Sequence, residues 1–210
     1  MDDGPHFLKD SEPLESYRVR YFFHAPCRSV NIASILEPIR RASVEVTVDC
    51  FKIAAEVNAP VVIHPGYFTW RDEQERALLQ YKKSLKELKQ SAEEFAVTFY
   101  IENMGNWDYF LLRFPSDLPL LDGCGLALDV GHAHLNSCLT EFLNEKVAHF
   151  HLHDNNGNED SHLPIGKGTI PFNPIMKAVE RNSIIPVIEV DTLEGTLISL
   201  NTLEKLKNST

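Results

Sequence analysis

The segment His149-Phe150-His151-Leu152-His153-Asp154 decides the fold and the chemistry that this sequence predicts. It lies at the end of a β-strand predicted over residues 147–152, in which successive side chains point to opposite faces. The three histidines then share one face, while the phenylalanine and the leucine fill the other. Because imidazole is the commonest metal ligand among side chains, this alternation points first to a metal site.

Five further apolar runs end at residues of the same kind. These runs predict strands at residues 18–24, 61–64, 97–101, 126–129 and 184–189. At or near their C-terminal ends stand His24, His64, Glu102, Asp129 and Glu189. Strands that alternate with helices indicate a parallel α/β sheet, and parallel strands gather functional groups at one rim.

The segments between these strands predict helices of unequal clarity. Residues 73–95 carry one apolar stripe at steps of three and four, with lysines on the opposite, solvated side. Residues 32–57 predict a second long helix, although three internal valines are β-branched and disfavour it. Shorter helices are predicted at residues 107–114, 140–144, 173–180 and 193–206, and a loop is predicted around Pro115 and Pro119.

Length and composition predict one soluble domain. A chain of 210 residues with 43% hydrophobic content can bury a sizeable core. We expect a single metal-binding domain over residues 18–210, preceded by an N-terminal arm over residues 1–17. The net charge of −10 argues against a general nucleic-acid or membrane-surface binder, although bound cations would cancel part of it. Four cysteines without CxxC spacing, together with no secretory signal and no bilayer-spanning run, predict a cytoplasmic protein.

In their order and spacing, these motifs resemble the endonuclease IV and xylose-isomerase-like TIM barrels. That group includes apurinic endonucleases (AP endonuclease family 2) and sugar-phosphate isomerases or epimerases, and the resemblance covers residues 18–207. Besides His24, the matching motifs are Ile63-His64-Pro65-Gly66, Ile101-Glu102-Asn103, Leu128-Asp129-Val130-Gly131-His132, His151-Leu152-His153-Asp154, Asp160-Ser161-His162, Gly166-Lys167-Gly168 and Ile188-Glu189. The resemblance implies an α/β barrel of the TIM type.

The resemblance also implies a set of metal ligands. Endonuclease IV holds up to three zinc ions, and every ligand type that it uses occurs here at a matching position. The implied ligands are His24, His64 and Glu102 for the first ion, Glu102 again with Asp129, His151 and Glu189 for the second, and His132, Asp160 and His162 for the third. The isomerase branch keeps a single metal, on the four positions of the second ion. Mixed imidazole and carboxylate ligands suit zinc, with manganese or iron as alternatives.

The number of ions separates the functions that the resemblance implies. Three ions imply a hydrolase of phosphoester bonds, acting on an apurinic site or a smaller phosphodiester through a metal-bound hydroxide. One ion implies a sugar or sugar-phosphate isomerase or epimerase, in which Glu102 and Glu189 are the catalytic acid/base pair. A third interpretation is an inactive metal-binding barrel. Lys167 and His153 are predicted to contact the substrate, while His149 and again His153 are candidates for supporting the ligands.

Two features depart from the family pattern. A TIM barrel usually needs about 250 residues, and only residues 1–17 precede the first predicted strand here. We therefore expect either a barrel that lacks the first two βα units or an open barrel whose edge an arm or a second subunit covers. The segment Ala25-Pro26-Cys27 follows His24 where the family places a tyrosine. Together with the absent early loop, this weakens DNA as the substrate, so that DNA and a small phosphorylated or sugar-containing substrate are both retained as expectations.

Overall fold

The computed structural model of the chain describes residues 8–208, which form two compact units. The first unit contains the residues up to Glu102 and the segment Tyr109–Leu111, and the second contains the remainder. Of the predicted arm, residues 1–7 lie outside the described residues, and Glu12–Glu15 form one helical turn, α1. That residues 18–210 form a single domain stays a prediction.

The first unit is built on three parallel strands in chain order, β1 (Phe23–His24), β2 (Val61–Ile63) and β3 (Phe99–Glu102). All three residues of β2 are buried, as expected for a strand that is covered on both faces. The first strand is shorter than the prediction of residues 18–24, since Val19 is exposed and only the last two residues pair with β2.

Two long helices complete the first unit, α2 (Glu37–Glu56) and α3 (Gln74–Glu94). The prediction for α3 is confirmed, because its buried side chains include those of the apolar stripe, Tyr81, Leu85, Leu88 and Ala92. A short 3₁₀ helix, Arg71–Glu73, precedes it. Helix α2 begins five residues later than predicted, with Pro38 in its first turn, where the missing N–H costs nothing.

The second unit repeats the alternation with three more parallel strands, β4 (Gly125–Asp129), β5 (Val147–Leu152) and β6 (Val187–Ile188). The prediction for β5 is confirmed to the residue. Strand β6 is shorter than predicted, and Pro186 immediately before it has no N–H for a sheet hydrogen bond. The helices of this unit are α4 (Val130–Leu135), α5 (Leu139–Leu143), α6 (Phe172–Asn182) and α7 (Leu193–Asn208).

The helix predicted at residues 107–114 is wrong. Phe110 instead forms an isolated antiparallel bridge with Tyr67, and Leu112 has a φ of 54°, which is incompatible with a right-handed helix. The predicted loop around the two prolines is also wrong, because Pro115–Leu121 form a 3₁₀ helix. The Asp117 carboxylate fixes its start by accepting hydrogen bonds from the backbone N–H groups of residues 113 and 114.

Within residues 8–208, no helix combines the length and the apolar character needed to cross a bilayer.

Candidate metal centre

The first unit brings together the three residues predicted for the first ion. His24 ends β1, His64 follows β2, and Glu102 ends β3. Both histidine Nε2 atoms lie 3.1 Å from the same carboxylate oxygen, Oε2 of Glu102. The Glu102 side chain is only 2% exposed, and a carboxylate buried to this degree needs compensation by positive charge.

The tautomer of His24 follows from its hydrogen bond to the backbone. Its Nδ1 lies 2.7 Å from the carbonyl oxygen of Ala25, and because a carbonyl oxygen only accepts, Nδ1 carries the proton. Nε2 is then the ring nitrogen that faces Glu102. Two lone pairs at this distance require either a second ring proton or a cation between them, so the arrangement fits a divalent metal.

The second unit brings together the residues predicted for the second ion that belong to it. Asp129 ends β4, His151 lies in β5, and Glu189 follows β6. One ligand atom from each of the three lies within 4.8 Å of the other two, and the His151 Nδ1 atom is 3.2 Å from Glu189 Oε2. Asp129 and His151 are buried, whereas the Glu189 side chain is 37% exposed. That Glu102 is a ligand of both the first and the second ion stays a prediction.

The residues predicted for the third ion also meet in the second unit, with Asp160 in the middle. Its Oδ2 atom lies 3.0 Å from His132 Nε2 and 3.4 Å from His162 Nε2. Both rings repeat the tautomer of His24. The Nδ1 of His132 donates to the carbonyl oxygen of Asn103 at 2.8 Å, and the Nδ1 of His162 donates to that of Glu189 at 2.9 Å.

Three predicted histidine ligands therefore share one arrangement, with Nδ1 held by a main-chain carbonyl and Nε2 directed at a carboxylate. Metal-binding histidines almost always donate their other ring N–H in this way, which fixes the tautomer and raises the basicity of the ligand nitrogen. Each ligand set combines imidazole with carboxylate, as do protein sites that bind zinc, manganese or iron. These residues fit a divalent metal centre.

The electrostatics of the Asp160 cluster point the same way. Burial raises the pKa of the Asp160 carboxyl, but hydrogen bonds from His132 and His162 outweigh burial and hold that pKa far below its usual range. Burial likewise lowers the pKa of His162, yet its hydrogen bond to Asp160 and the charge of that carboxylate raise it to about 9. Without a metal, a proton supplies the positive charge that this cluster requires.

His153 holds the carboxylate of Asp129, a predicted ligand, in position. Its ring is fully buried, and its Nε2 lies 3.1 Å from both carboxylate oxygens of Asp129. Burial lowers the pKa of His153, but the charge and hydrogen bond of Asp129 raise it by more. The ring also stacks on His162, with centroids 4.0 Å apart. A Cβ atom on Gly131 would lie 2.0 Å from the His153 ring, so glycine is required there.

Asn103 fixes Asp129 from the main-chain side. Its side-chain oxygen accepts a hydrogen bond from the Asp129 N–H at 2.7 Å, and its amide nitrogen donates to the Asp129 carbonyl at 3.1 Å. The backbone oxygen of the same residue accepts from His132. Asn103 therefore positions one predicted ligand of each of two ions, a role that the sequence analysis did not assign although its motif contains the residue.

Asp154 organises the loop that carries Asp160 and His162. Its buried carboxylate accepts four backbone hydrogen bonds of 2.9–3.0 Å, and their donors are the N–H groups of Asn155, Gly166, Gly168 and Ile170. The loop is held tightly enough for His162 to adopt a φ of 41°, which is uncommon for a residue with a side chain. No pattern of residues in the sequence indicates this role for Asp154.

The other predicted residues are placed as follows. His149 is buried in β5, and its ring meets that of His151 edge-on with centroids 5.1 Å apart. Lys167 is exposed in the turn between Gly166 and Gly168. Substrate contacts of Lys167 and of the buried His153 stay predictions. One candidate ligand was missed, since Cys27 lies beside His24 and His64.

Residues 11–205 match the model of the family described as xylose isomerase-like TIM barrel. The uncharacterized protein MJ1614 of Methanocaldococcus jannaschii is 40% identical over 196 residues, which cover 90% of this chain and 76% of that protein. A probable endonuclease 4 of Mycobacterium leprae is 25% identical over 196 residues, covering 84% of this chain and 75% of the relative.

A solved structure described as a D-tagatose 3-epimerase-like protein superimposes with a TM-score of 0.87 at 29% identity, covering 94% of this chain and 80% of that one. The similar proteins thus include both an endonuclease and an epimerase-like protein. The match of the family model along nearly the whole described chain confirms the predicted α/β fold. This chain belongs to the xylose isomerase-like TIM barrel family.

Proposed function

We propose that this protein is a divalent-metal-dependent hydrolase of phosphoester bonds. The observation that carries the proposal is the shared arrangement of His24, His132 and His162, whose Nδ1 atoms donate to carbonyl oxygens while their Nε2 atoms face carboxylates. Two of these histidines belong to the cluster around Asp160, which the single-metal isomerase scheme does not use as a metal site. A three-metal centre uses this cluster directly, whereas a one-metal isomerase would keep its residues only for binding the substrate.

We propose zinc as the metal, with manganese or iron as the alternatives, and as many as three ions per chain. His24 and His64 with Glu102 would hold one ion, Asp129 and His151 with Glu189 another, and the Asp160 cluster a third. When bound, such ions activate water and stabilise charge on phosphoryl oxygens. The chain itself supplies rigid ligands, since His153 and Asn103 fix Asp129 and Asp154 fixes the loop of Asp160.

The exposed fraction of the ligands indicates where a substrate enters. The Glu102 and Asp129 side chains are almost completely buried, whereas those of Glu189 and Asp160 are each 37% exposed. We propose that the substrate meets the centre beside Glu189 and Asp160, and that Lys167 in the exposed turn attracts its anionic group. A small phosphodiester suits the net charge of −10 better than DNA does.

A sugar or sugar-phosphate isomerase or epimerase is the second candidate. It is favoured by the similarity to the D-tagatose 3-epimerase-like protein at 29% identity. In that case Asp129, His151 and Glu189 would be among the residues that hold a single ion, which would supply polarisation of the substrate. Glu102 and Glu189 then move a proton to and from carbon. An inactive metal-binding barrel remains the third candidate.

Metal content and turnover distinguish these candidates. We would measure zinc, manganese and iron per chain by elemental analysis, and then assay hydrolysis of a small phosphodiester and epimerisation of ketohexoses. About three ions with hydrolysis support the proposal, one ion with epimerisation supports the second candidate, and bound metal without turnover supports the third. A mobility-shift assay with an abasic duplex at physiological salt tests DNA, and binding only above micromolar protein would exclude it as the substrate.

We also propose that the protein acts in the cytoplasm, where its four cysteines stay reduced. Association through an uncovered sheet edge is a further proposal, and light scattering of the purified protein tests it.

A further inference from the structure

The strongest feature that the proposed function does not use is Cys27. It follows His24 by three residues and is half-buried. Its Sγ atom, one ring nitrogen of His24 and one of His64 all lie within 4.8 Å of one another. Three ligand atoms gathered this closely could hold one metal ion, to which zinc–sulfur and zinc–nitrogen bonds of about 2.3 Å and 2.0–2.1 Å would form.

The backbone holds the cysteine close to both histidines. The N–H of Ala25 donates to the carbonyl oxygen of Val62 in β2 at 2.8 Å, and the carbonyl oxygen of Ala25 accepts from His24 Nδ1. Pro26 is the only residue between Ala25 and Cys27, and its ring fixes its φ. The short connection from His24 to Cys27 is therefore anchored to the same strand that precedes His64.

We propose that the Cys27 thiolate is a ligand of the metal ion held by His24 and His64. This inference rests on the proposed metal centre and specifies its chemistry. A sulfur ligand added to imidazole and carboxylate shifts the preference of the site towards zinc and away from manganese and magnesium, which favour oxygen ligands. It also makes this site sensitive to oxidants, because an oxidised thiol no longer binds the ion as a thiolate.

The test replaces zinc with cobalt(II), which shows an intense thiolate-to-metal absorption band in the near ultraviolet only when sulfur is a ligand. We would compare wild type with Cys27→Ser and, as the matched control, Cys124→Ser, since both cysteines are half-buried. We expect the band in wild type and in Cys124→Ser and its loss in Cys27→Ser. We also expect zinc affinity to fall at least about tenfold in Cys27→Ser alone.

A second measurement needs no variant. Zinc should slow the alkylation of Cys27 in wild type, as followed by peptide mass spectrometry, without changing the alkylation of Cys124. If zinc binds but the cobalt band is absent, or survives in Cys27→Ser, or if zinc leaves Cys27 alkylation unchanged, the inference is overturned while the proposed function stands. If wild type binds no divalent metal, both fail.

Discussion

The replacement of Asp154 by asparagine tests how the loop of Asp160 and His162 is held. In the native protein, Oδ1 of Asp154 accepts from the N–H groups of Asn155 and Ile170, and Oδ2 accepts from those of Gly166 and Gly168. An asparagine has the same shape but only one acceptor oxygen. Whichever way the amide turns, two backbone donors face its NH₂ group.

The magnitude follows from the two hydrogen bonds that are lost. A hydrogen bond to a charged group contributes about 1.5–3 kcal/mol, so Asp154→Asn should reduce the free energy of unfolding by about 3–6 kcal/mol. For a chain of this length, that corresponds to a melting temperature lower by roughly 6–24 °C. Because the loop carries Asp160 and His162, we also expect a lower metal content in the folded protein.

The assay is a urea titration followed by circular dichroism, with elemental analysis of the folded fraction. Asp191→Asn is the matched control, since Asp191 is exposed in the same unit and its change should stay within about 0.5 kcal/mol. A variant at Asp154 that unfolds at the same urea concentration as wild type and holds as much metal would refute the role given to this carboxylate.

Three further outcomes are expected. Glu189→Gln should abolish turnover and lower metal content while the circular dichroism spectrum stays native; full turnover would contradict its role. Gly131→Ala should cost about 1–3 kcal/mol of stability, because its Cβ overlaps the buried ring of His153, and metal affinity should fall with it. Burial raises the pKa of the Cys50 and Cys138 thiols to about 11, so between pH 9 and 11 the unfolded chain loses protons that the native chain keeps. Stability should therefore fall over that range, and Cys50→Ala should weaken the fall in thermal melts at pH 8, 9, 10 and 11.

The parts of the fold that depend on local pattern were predictable. The apolar stripe of α3 and the alternating side chains of β5 each lie within one continuous segment, and both the helix and the strand occur as expected. The helix predicted at residues 107–114 failed because a distant partner, Tyr67, pairs with Phe110. Helix α4 was missed because six residues are too few for a periodic pattern.

The candidate site was predictable in its ligands but not in their support. Residues such as His64 and Glu102 stand at the ends of strands, and parallel strands bring such ends to one edge. The partners that fix them are mostly main-chain groups, for example the carbonyl oxygen that holds Nδ1 of His132. Every residue has a main-chain carbonyl oxygen, so residue types do not show which of these oxygens accepts a hydrogen bond from a ligand.

The anchoring of histidine rings by carbonyl oxygens has an evolutionary consequence. A point mutation can remove a side chain that orients a ligand, but it cannot delete a peptide oxygen. As long as the chain path beside His24, His132 and His162 persists, the orientation of these three rings survives substitutions of neighbouring side chains. Related proteins can then acquire a different reaction through substitutions in the pocket, while the histidine ligands keep the same orientation.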